Sequence, residues 1–248
     1  MLPGVIVIGA MKCGTSAAHA YLDAHPCIAM SSTKELNFFN GPETAPGADP
    51  DQWWRTGQWH RGLDWYAAQL APDASPDVVR GESSPAYTSP TSPEVPARMA
   101  TVVPDVRLVY LVRDPVERAA SQWAHHRRDG AEPRPLEEAL LDPGSQYVAR
   151  SRYCERLRPF LAHFALEQVH VVVAERLAHD RDAEIARLYA HVGVDDRWRD
   201  SRHRERVHVG DGRVAPDATV RAAFEELVGD DVDALRELLR DDLREWQR

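Results

Sequence analysis

The sequence predicts an α/β protein with an open, mainly parallel sheet flanked by helices. Three observations carry that reading. Short, continuous β-branched runs recur at Val5-Ile6-Val7-Ile8, at Val106 to Val112 and at Val169 to Val173, as expected of strands buried on both faces. Segments of helical period separate them, the order that produces a parallel sheet covered by helices. A glycine-containing turn, Gly9 to Gly14, leaves the first strand and leads into a helix. In order, strands are expected over 5–8, 28–30, 78–81, 106–112 and 169–173. Helices are expected over 16–24, 63–70, 116–128 (with Pro115 near the first turn), 151–164 and 182–191 (stopped by Gly193), then over 217–228 and 231–240. Residues 40–62, rich in Gly, Pro, Asp and Trp, read as a surface excursion, and the Arg- and His-rich 197–213 as a loop. No repeat or linker divides the chain, so residues 1–248 are expected to form one domain.

Composition narrows the function. A net charge of −9 on 248 residues argues against general nucleic-acid binding, which needs a basic face, and makes a long polyanionic substrate less natural. No stretch approaches the ~20 apolar residues of a membrane helix. The N-terminal apolar run is too short for a secretory signal. Cys13, Cys27 and Cys154 form neither close pairs nor a CxxC, arguing against a disulfide framework or zinc site and for a reducing compartment, so a cytoplasmic location is expected. Of 30 basic residues only Lys12 and Lys34 are lysines. Compositional bias towards Arg explains the scarcity; the two exceptions mark positions where a compact ammonium differs from a planar guanidinium.

The turn Gly9-Ala-Met-Lys12-Cys13-Gly14-Thr15-Ser16 sits where open α/β sheets bind ligands, beyond the carboxyl end of a strand, and the following helix adds its positive dipole end. Its spacing approaches the nucleotide-binding pattern GxxxxGK[ST], but Thr15 stands at the lysine position and the lysine has moved into the loop as Lys12. A nucleoside triphosphate needs Lys and Mg²⁺ on its β- and γ-phosphates. A phosphosulfate carries less charge on its 5′ arm. Asp114 and Glu175 are the acids that a magnesium-dependent kinase or NTPase acting on a small molecule with ATP would use, and that reading stays open here.

The same loop, followed by His25-Pro26, resembles the 5′-phosphosulfate-binding loop of sulfotransferases that use 3′-phosphoadenosine 5′-phosphosulfate (PAPS), with heparan sulfate sulfotransferases and their bacterial relatives as the nearest branch. The likeness continues in order through Lys34-Glu-Leu-Asn-Phe-Phe39, Gly62-Leu-Asp-Trp-Tyr66, Glu82-Ser-Ser-Pro-Ala-Tyr87 and Leu111-Val-Arg-Asp-Pro-Val-Glu-Arg118 with Ser121, and weakly through Ser151-Arg-Tyr153 and Gly212-Arg213. The resemblance implies a fold related to P-loop kinases, PAPS as co-substrate and adenosine 3′,5′-bisphosphate (PAP) as product, with no metal. It implies that Lys12 neutralises the leaving group and that Cys13, Gly14, Thr15 and Ser16 surround the phosphosulfate. Arg113 and Ser121 would bind the 3′-phosphate, and Arg213 would reach the nucleotide. Glu35 aligns with the general base that takes the acceptor's proton, and Lys34 would hold the sulfuryl oxygens or the acceptor.

The chain departs from that family where many heparan-type members carry lysines: Ser83 and Asp211 stand there instead, and the cysteine pair of secreted members is missing. A small or medium acceptor follows, a hydroxylated natural product or glycoside before an oligosaccharide. No nucleic-acid or membrane partner is expected, and self-association into a homodimer stays open. For His125-His126-Arg127-Arg128 an exposed charged helix end is the favoured reading over a cleft wall. Trp53, Trp54 and Trp59 serve equally well as an acceptor-facing lid or as loop anchors, and the 202–206 run equally well as a flap or a solvated loop. Cys13 reads as a small neutral filler of the turn rather than a redox-sensitive thiol.

Overall fold

The computed structural model describes residues 1–44, 57–204 and 214–246. Strand β1 (Val5–Gly9) is wholly buried and leads through the glycine turn into helix α1 (Thr15–Asp23). β2 (Ile28–Met30) follows, then α2 (Gly62–Gln69), β3 (Val79–Ser83), α3 (Val95–Val102) and β4 (Arg107–Val112). Next come α4 (Pro115–Arg128), α5 (Leu136–Leu140), α6 (Gln146–Ser151) and α7 (Tyr153–Leu161). β5 (Val169–Val173), α8 (Ala174–His179), α9 (Arg181–Val192) and α10 (Ala218–Leu239) complete the elements used below.

The five strands pair in the order β2-β3-β1-β4-β5, and every pairing is parallel. The chain leaves β1 towards β2 and β3 on one side, then crosses to β4 and β5 on the other. The order therefore reverses around β1, and the crevice at its carboxyl end is the topological switch point where ligands bind. Leu108 to Val112 are fully buried, which explains why β1 and β4 read as unbroken apolar runs. Helices α1 and α9 pack together beside the sheet, while α7 packs against α3 and α10 in a second helical group. No helix among the described residues is long and apolar enough to cross a membrane.

Two helix assignments need correction. The stretch expected as one helix over 151–164 breaks at Arg152, because Ser151 is locked to the preceding chain: its hydroxyl donates to the Pro115 carbonyl and accepts from Arg118 Nε at 2.8 Å. The two helices expected at the end of the chain are one, α10. Gly229 lowers helix propensity by about 1 kcal/mol, but Phe224, Val228, Val232 and Leu235 bury one face on both sides of it. Buried Asp231 explains why an acid tolerates that face: its carboxylate accepts the Cys154 and Glu155 amides at 2.9 and 2.8 Å, capping α7 from outside. Helices α3, α5, α6 and α8, each of five to eight residues, were not anticipated from the sequence.

Candidate active site

The turn after β1 is shaped by its backbone. Lys12 (φ 69°) and Gly14 (φ 95°) take left-handed conformations. A Cβ at Gly9 would collide with Thr88, so the strand end also needs its glycine. Gly14 caps α1 without a side-chain hydrogen bond, and the first turn carries no acid. The amides there, which have no intrahelical acceptor, and the helix dipole therefore both favour an anion. Cys13 is buried with its sulfur 3.5 Å from the Tyr153 hydroxyl, and burial pushes its thiol up to about 11, so it fills the turn as a neutral side chain.

This turn forms the floor of a cleft of about 1330 Å³ at the switch point. Lys12, Cys13, Gly14, Thr15, Ser16, Lys34, Glu35, Arg113 and Ser121 all line it, so the structure brings together every site residue expected from sequence except Arg213, which lies outside the described residues. Burial first, and then the guanidinium charges of Arg128 and Arg113, hold the Lys12 ammonium below its ordinary pKa. Three cations converge on this wall; Arg113 and Arg128 each have an acid at 3.4–3.5 Å, from Glu117 and Asp129, while no carboxylate among the described residues lies within ion-pair distance of Lys12.

On the β4 side, the residues after the strand are held in place by acids. Asp114 caps α4 through the Val116 and Glu117 amides, both at 3.0 Å, and its other oxygen pairs with Arg221 of α10 at 3.0 Å. Glu117 joins Arg221 at 3.0 Å and Arg113 at 3.4 Å. Glu175 accepts the Asp114 amide at 2.9 Å and the Trp246 indole N–H at 3.1 Å. The two acids that a magnesium-nucleotide reading would use are thus engaged in positioning Arg113 and the start of α4.

On the opposite side of β1, Lys34 Nζ lies 3.0 Å from Glu35 Oε1, and the Glu35 side chain is 54% exposed to the cleft and solvent. Glu35 (φ 62°) and Asn37 (φ 49°) both occupy the left-handed region, costly for residues with side chains. What holds them is a network that sequence reading missed. The Glu35 amide donates to the Ser83 carbonyl at 2.8 Å, the Asn37 amide to Ser84 Oγ and the Phe38 amide to the Tyr87 hydroxyl, both at 3.0 Å. Those two hydroxyls and that of Tyr66 donate in turn to the fully buried carboxylate of Glu82, at 2.6, 2.5 and 2.8 Å. Burial pushes the Glu82 pKa up, and the three donors oppose that shift. The signal was present in Glu82-Ser-Ser-Pro-Ala-Tyr87: an acid followed by two hydroxyl residues on a buried strand.

Two further readings change. His125, His126 and Arg128 line the cleft instead of forming a merely exposed helix end, because the last turns of α4 run over Lys12 and Glu35. His125 and His126 are both lowered from the ordinary histidine pKa, chiefly by burial. Trp59 anchors its loop: it packs on Phe38 and Phe39, donates to Glu43 at 2.9 Å and carries the Arg98 guanidinium 4.7 Å from its ring centre. Trp53 and Trp54 lie outside the described residues. Arg202 is tied to Asp200 and to the Ala24 carbonyl at the end of α1, and the remainder of its run, from Glu205, lies outside the described residues.

Comparison with known proteins gives the site a context. The sequence model of the sulfotransferase family matches residues 3–200. Heparan sulfate glucosamine 3-O-sulfotransferase 3B1 of Mus musculus is 30% identical over 201 residues, which cover 78% of this chain and 46% of that protein. The chain spans about half the length of the curated relatives it matches. The crystal structure of a sulfotransferase from Alicyclobacillus acidocaldarius superposes with a TM-score of 0.82 at 27% identity, covering all of both chains. The sulfotransferase domain from the curacin biosynthetic pathway shares the fold, with a TM-score of 0.57 at 13% identity over 98% of this chain and 99% of that domain. The expected P-loop-like sulfotransferase architecture is the one these neighbours share.

Proposed function

The chain belongs to the sulfotransferase family, and from that premise we propose that it transfers a sulfuryl group from PAPS to a hydroxyl of a small or medium acceptor, a natural product or glycoside, in the cytoplasm. The observation that carries this reading is the division of one cleft by β1: the Lys12 turn with Arg113 and Ser121 on one side, the Lys34–Glu35 pair on the other. An adenylate with a 3′-phosphate fits the first group, whose cations and α1 dipole meet its two charged ends. The acceptor oxygen attacks sulfur in line as the bond from sulfur to the bridging oxygen breaks. The electron pair of that bond stays on the 5′-phosphate beside Lys12, and the acceptor's proton moves to Glu35. Lys12 stabilises charge that develops on the leaving group, and Glu35 supplies the base. Lys34, 3.0 Å from Glu35, orients that carboxylate and faces the transferring sulfuryl oxygens.

The acceptor differs from that in the relatives' name. At Ser83, where many heparan-type members carry a lysine, the hydroxyl lies 2.9 Å from His19 Nδ1. One cation that would meet a polyanionic chain is thereby replaced by a neutral pair. Calorimetry with PAP and with ATP, each with magnesium or with EDTA, tests the donor: tight PAP binding unaffected by EDTA is expected, and magnesium-dependent preference for ATP overturns the reading. Glu35→Gln should lower sulfate transfer from PAPS by about 10²–10⁴-fold while leaving PAP affinity unchanged.

A further inference from the structure

We infer that the acceptor half of the cleft contains a subsite for one oxyanion, a carboxylate or a sulfate or phosphate ester, built on Arg150. The inference rests on the proposed division of the cleft into donor and acceptor sides.

Arg150 projects from α6 into the cleft wall. Its Nη2 donates to Ser89 Oγ at 3.0 Å, and its buried Nε has no acceptor among the described residues. No carboxylate among those residues lies within ion-pair distance of it, in contrast to Arg113, Arg152, Arg176 and Arg221. Its neighbours in charge are cations, Arg118 and Arg156, and burial together with that repulsion pulls its pKa down to about 10. A largely desolvated charge without a counter-ion is destabilising, and so is a buried N–H without an acceptor. Arg150 bears both costs where the wall opens onto the cleft.

The surroundings are arranged to keep it there. Arg118, itself fully buried, donates to Ser151 Oγ and to the Tyr147 carbonyl at 2.8 and 2.7 Å, so it fixes the two ends of the turn that carries Arg150. Ser89 is paired with Thr91 at 2.9 Å. Nearby Asn40 donates to Ser92, and its buried Oδ1 has no partner among the described residues, a second polar atom awaiting a ligand. Topology assigns the side. Arg150 comes from α6, which packs on α4, but its guanidinium reaches Ser89, on the segment after β3 and across β1 from Arg113, so the oxyanion belongs to the acceptor and not to the nucleotide's 3′-phosphate. A single part-buried guanidinium bonded to the Ser89 hydroxyl, in a cleft wall that also carries Thr91 and Asn40, suits one charged group on a compact molecule.

The test reads Arg150 directly. In ¹⁵N-labelled full-length protein the Arg150 Nε–Hε signal is assigned by its loss in Arg150→Lys, and benzoate, phenyl phosphate and neutral benzamide are titrated with and without saturating PAP. A saturable shift with either anion, unaltered by PAP and absent with benzamide, is expected; the preferred anion tells a carboxylate from an ester. Arg150→Gln should weaken that anion at least about tenfold, and Arg150→Lys should restore part of the loss. No response of the Arg150 signal to either anion, an equal response to benzamide, or displacement of the anion by PAP overturns the subsite. Should Arg150→Gln not fold, the wild-type signal and Arg150→Lys still decide. Failure of PAP to bind, with the Arg150 response intact, sinks the proposed donor and leaves the subsite standing; normal PAP binding with a silent Arg150 does the reverse.

Discussion

The two sides of β1 use different materials. The donor side is backbone and cation: a turn with left-handed Lys12 and Gly14, an uncapped helix start, and Arg113 held by Glu117. The other side is built largely from connecting segments, and the one that carries Glu35 hangs from Glu82 through two hydroxyls, those of Ser84 and Tyr87. A site for a fixed ligand can rest on the rigid end of a central strand. A site that must suit one particular acceptor rests on segments that a buried carboxylate holds in otherwise unfavourable conformations. In the proposed reaction the difference also separates what each side contributes: charge stabilisation on one, orientation and proton removal on the other.

Substitutions can break that comparison. The largest effect is expected from Lys12→Met, which removes the cation that the proposed reaction places at the leaving group: sulfate transfer should fall about 10²–10³-fold, PAP should bind more weakly, and thermal stability should hold. Steady-state kinetics alongside a melting curve check both halves. If kcat survives, the leaving-group role assigned to the donor side is wrong. Glu82→Gln comes next. An amide offers its own N–H groups where three hydroxyls already donate, so the network loses about 1–3 kcal/mol. The melting temperature should drop and kcat should fall, while calorimetry should find PAP affinity within about twofold of wild type. A parallel loss of PAP binding would show that the two sides are not independent.

The smallest effect is a pH dependence on the acceptor side. Glu132, hydrogen-bonded by Arg134 and by the Tyr147 hydroxyl, is held down to about 2. Because the folded state depresses this acid, its contribution is complete above the ordinary carboxylate range near 4.5 and is lost as pH falls from there towards about 2. Tyr147 also contacts His126 at 3.1 Å, so hydrogen exchange in α6 should rise across that window before exchange in α1 does. Arg134→Gln should shift the window upwards, and an unchanged profile would remove Glu132 from the support of this side. Arg134 is about one-third exposed, so solvent screening keeps the effect modest.

This division also explains what could be read in the sequence. The donor turn is contiguous: strand, glycines, Lys12 and helix start occupy twelve residues around a local geometry, and Arg113 follows an apolar run that could only be a central strand. Lys34 and Glu35 were legible through resemblance, not through any local pattern, since a charged pair before two phenylalanines is ordinary. Other contributors act across long chain separations. Arg221 reaches Asp114 from α10, Asp231 caps α7, and Glu82 collects Tyr66 as well as its near neighbours. None of these pairings has a period or spacing to announce it. The cleft-facing position of His125 and His126 was hidden for a related reason: a basic helix end looks the same whether it meets solvent or an anion site, and only the path of α4 over Lys12 decides.

The hub at Glu82 has a consequence for descent. Its donors come from the short segment after β3 and from α2, and two of them, Ser84 and Tyr87, reach the residues beyond Glu35 through backbone amides. Cleft-lining side chains such as Asn40, Thr91 and Ser92 can therefore be exchanged while the amides that suspend the segment stay bonded. On the proposed reading, selection can rewrite which molecule is modified without disturbing how the activated group is delivered, and a lineage built on this plan can diversify its products through small changes on one rim of an otherwise constant sheet.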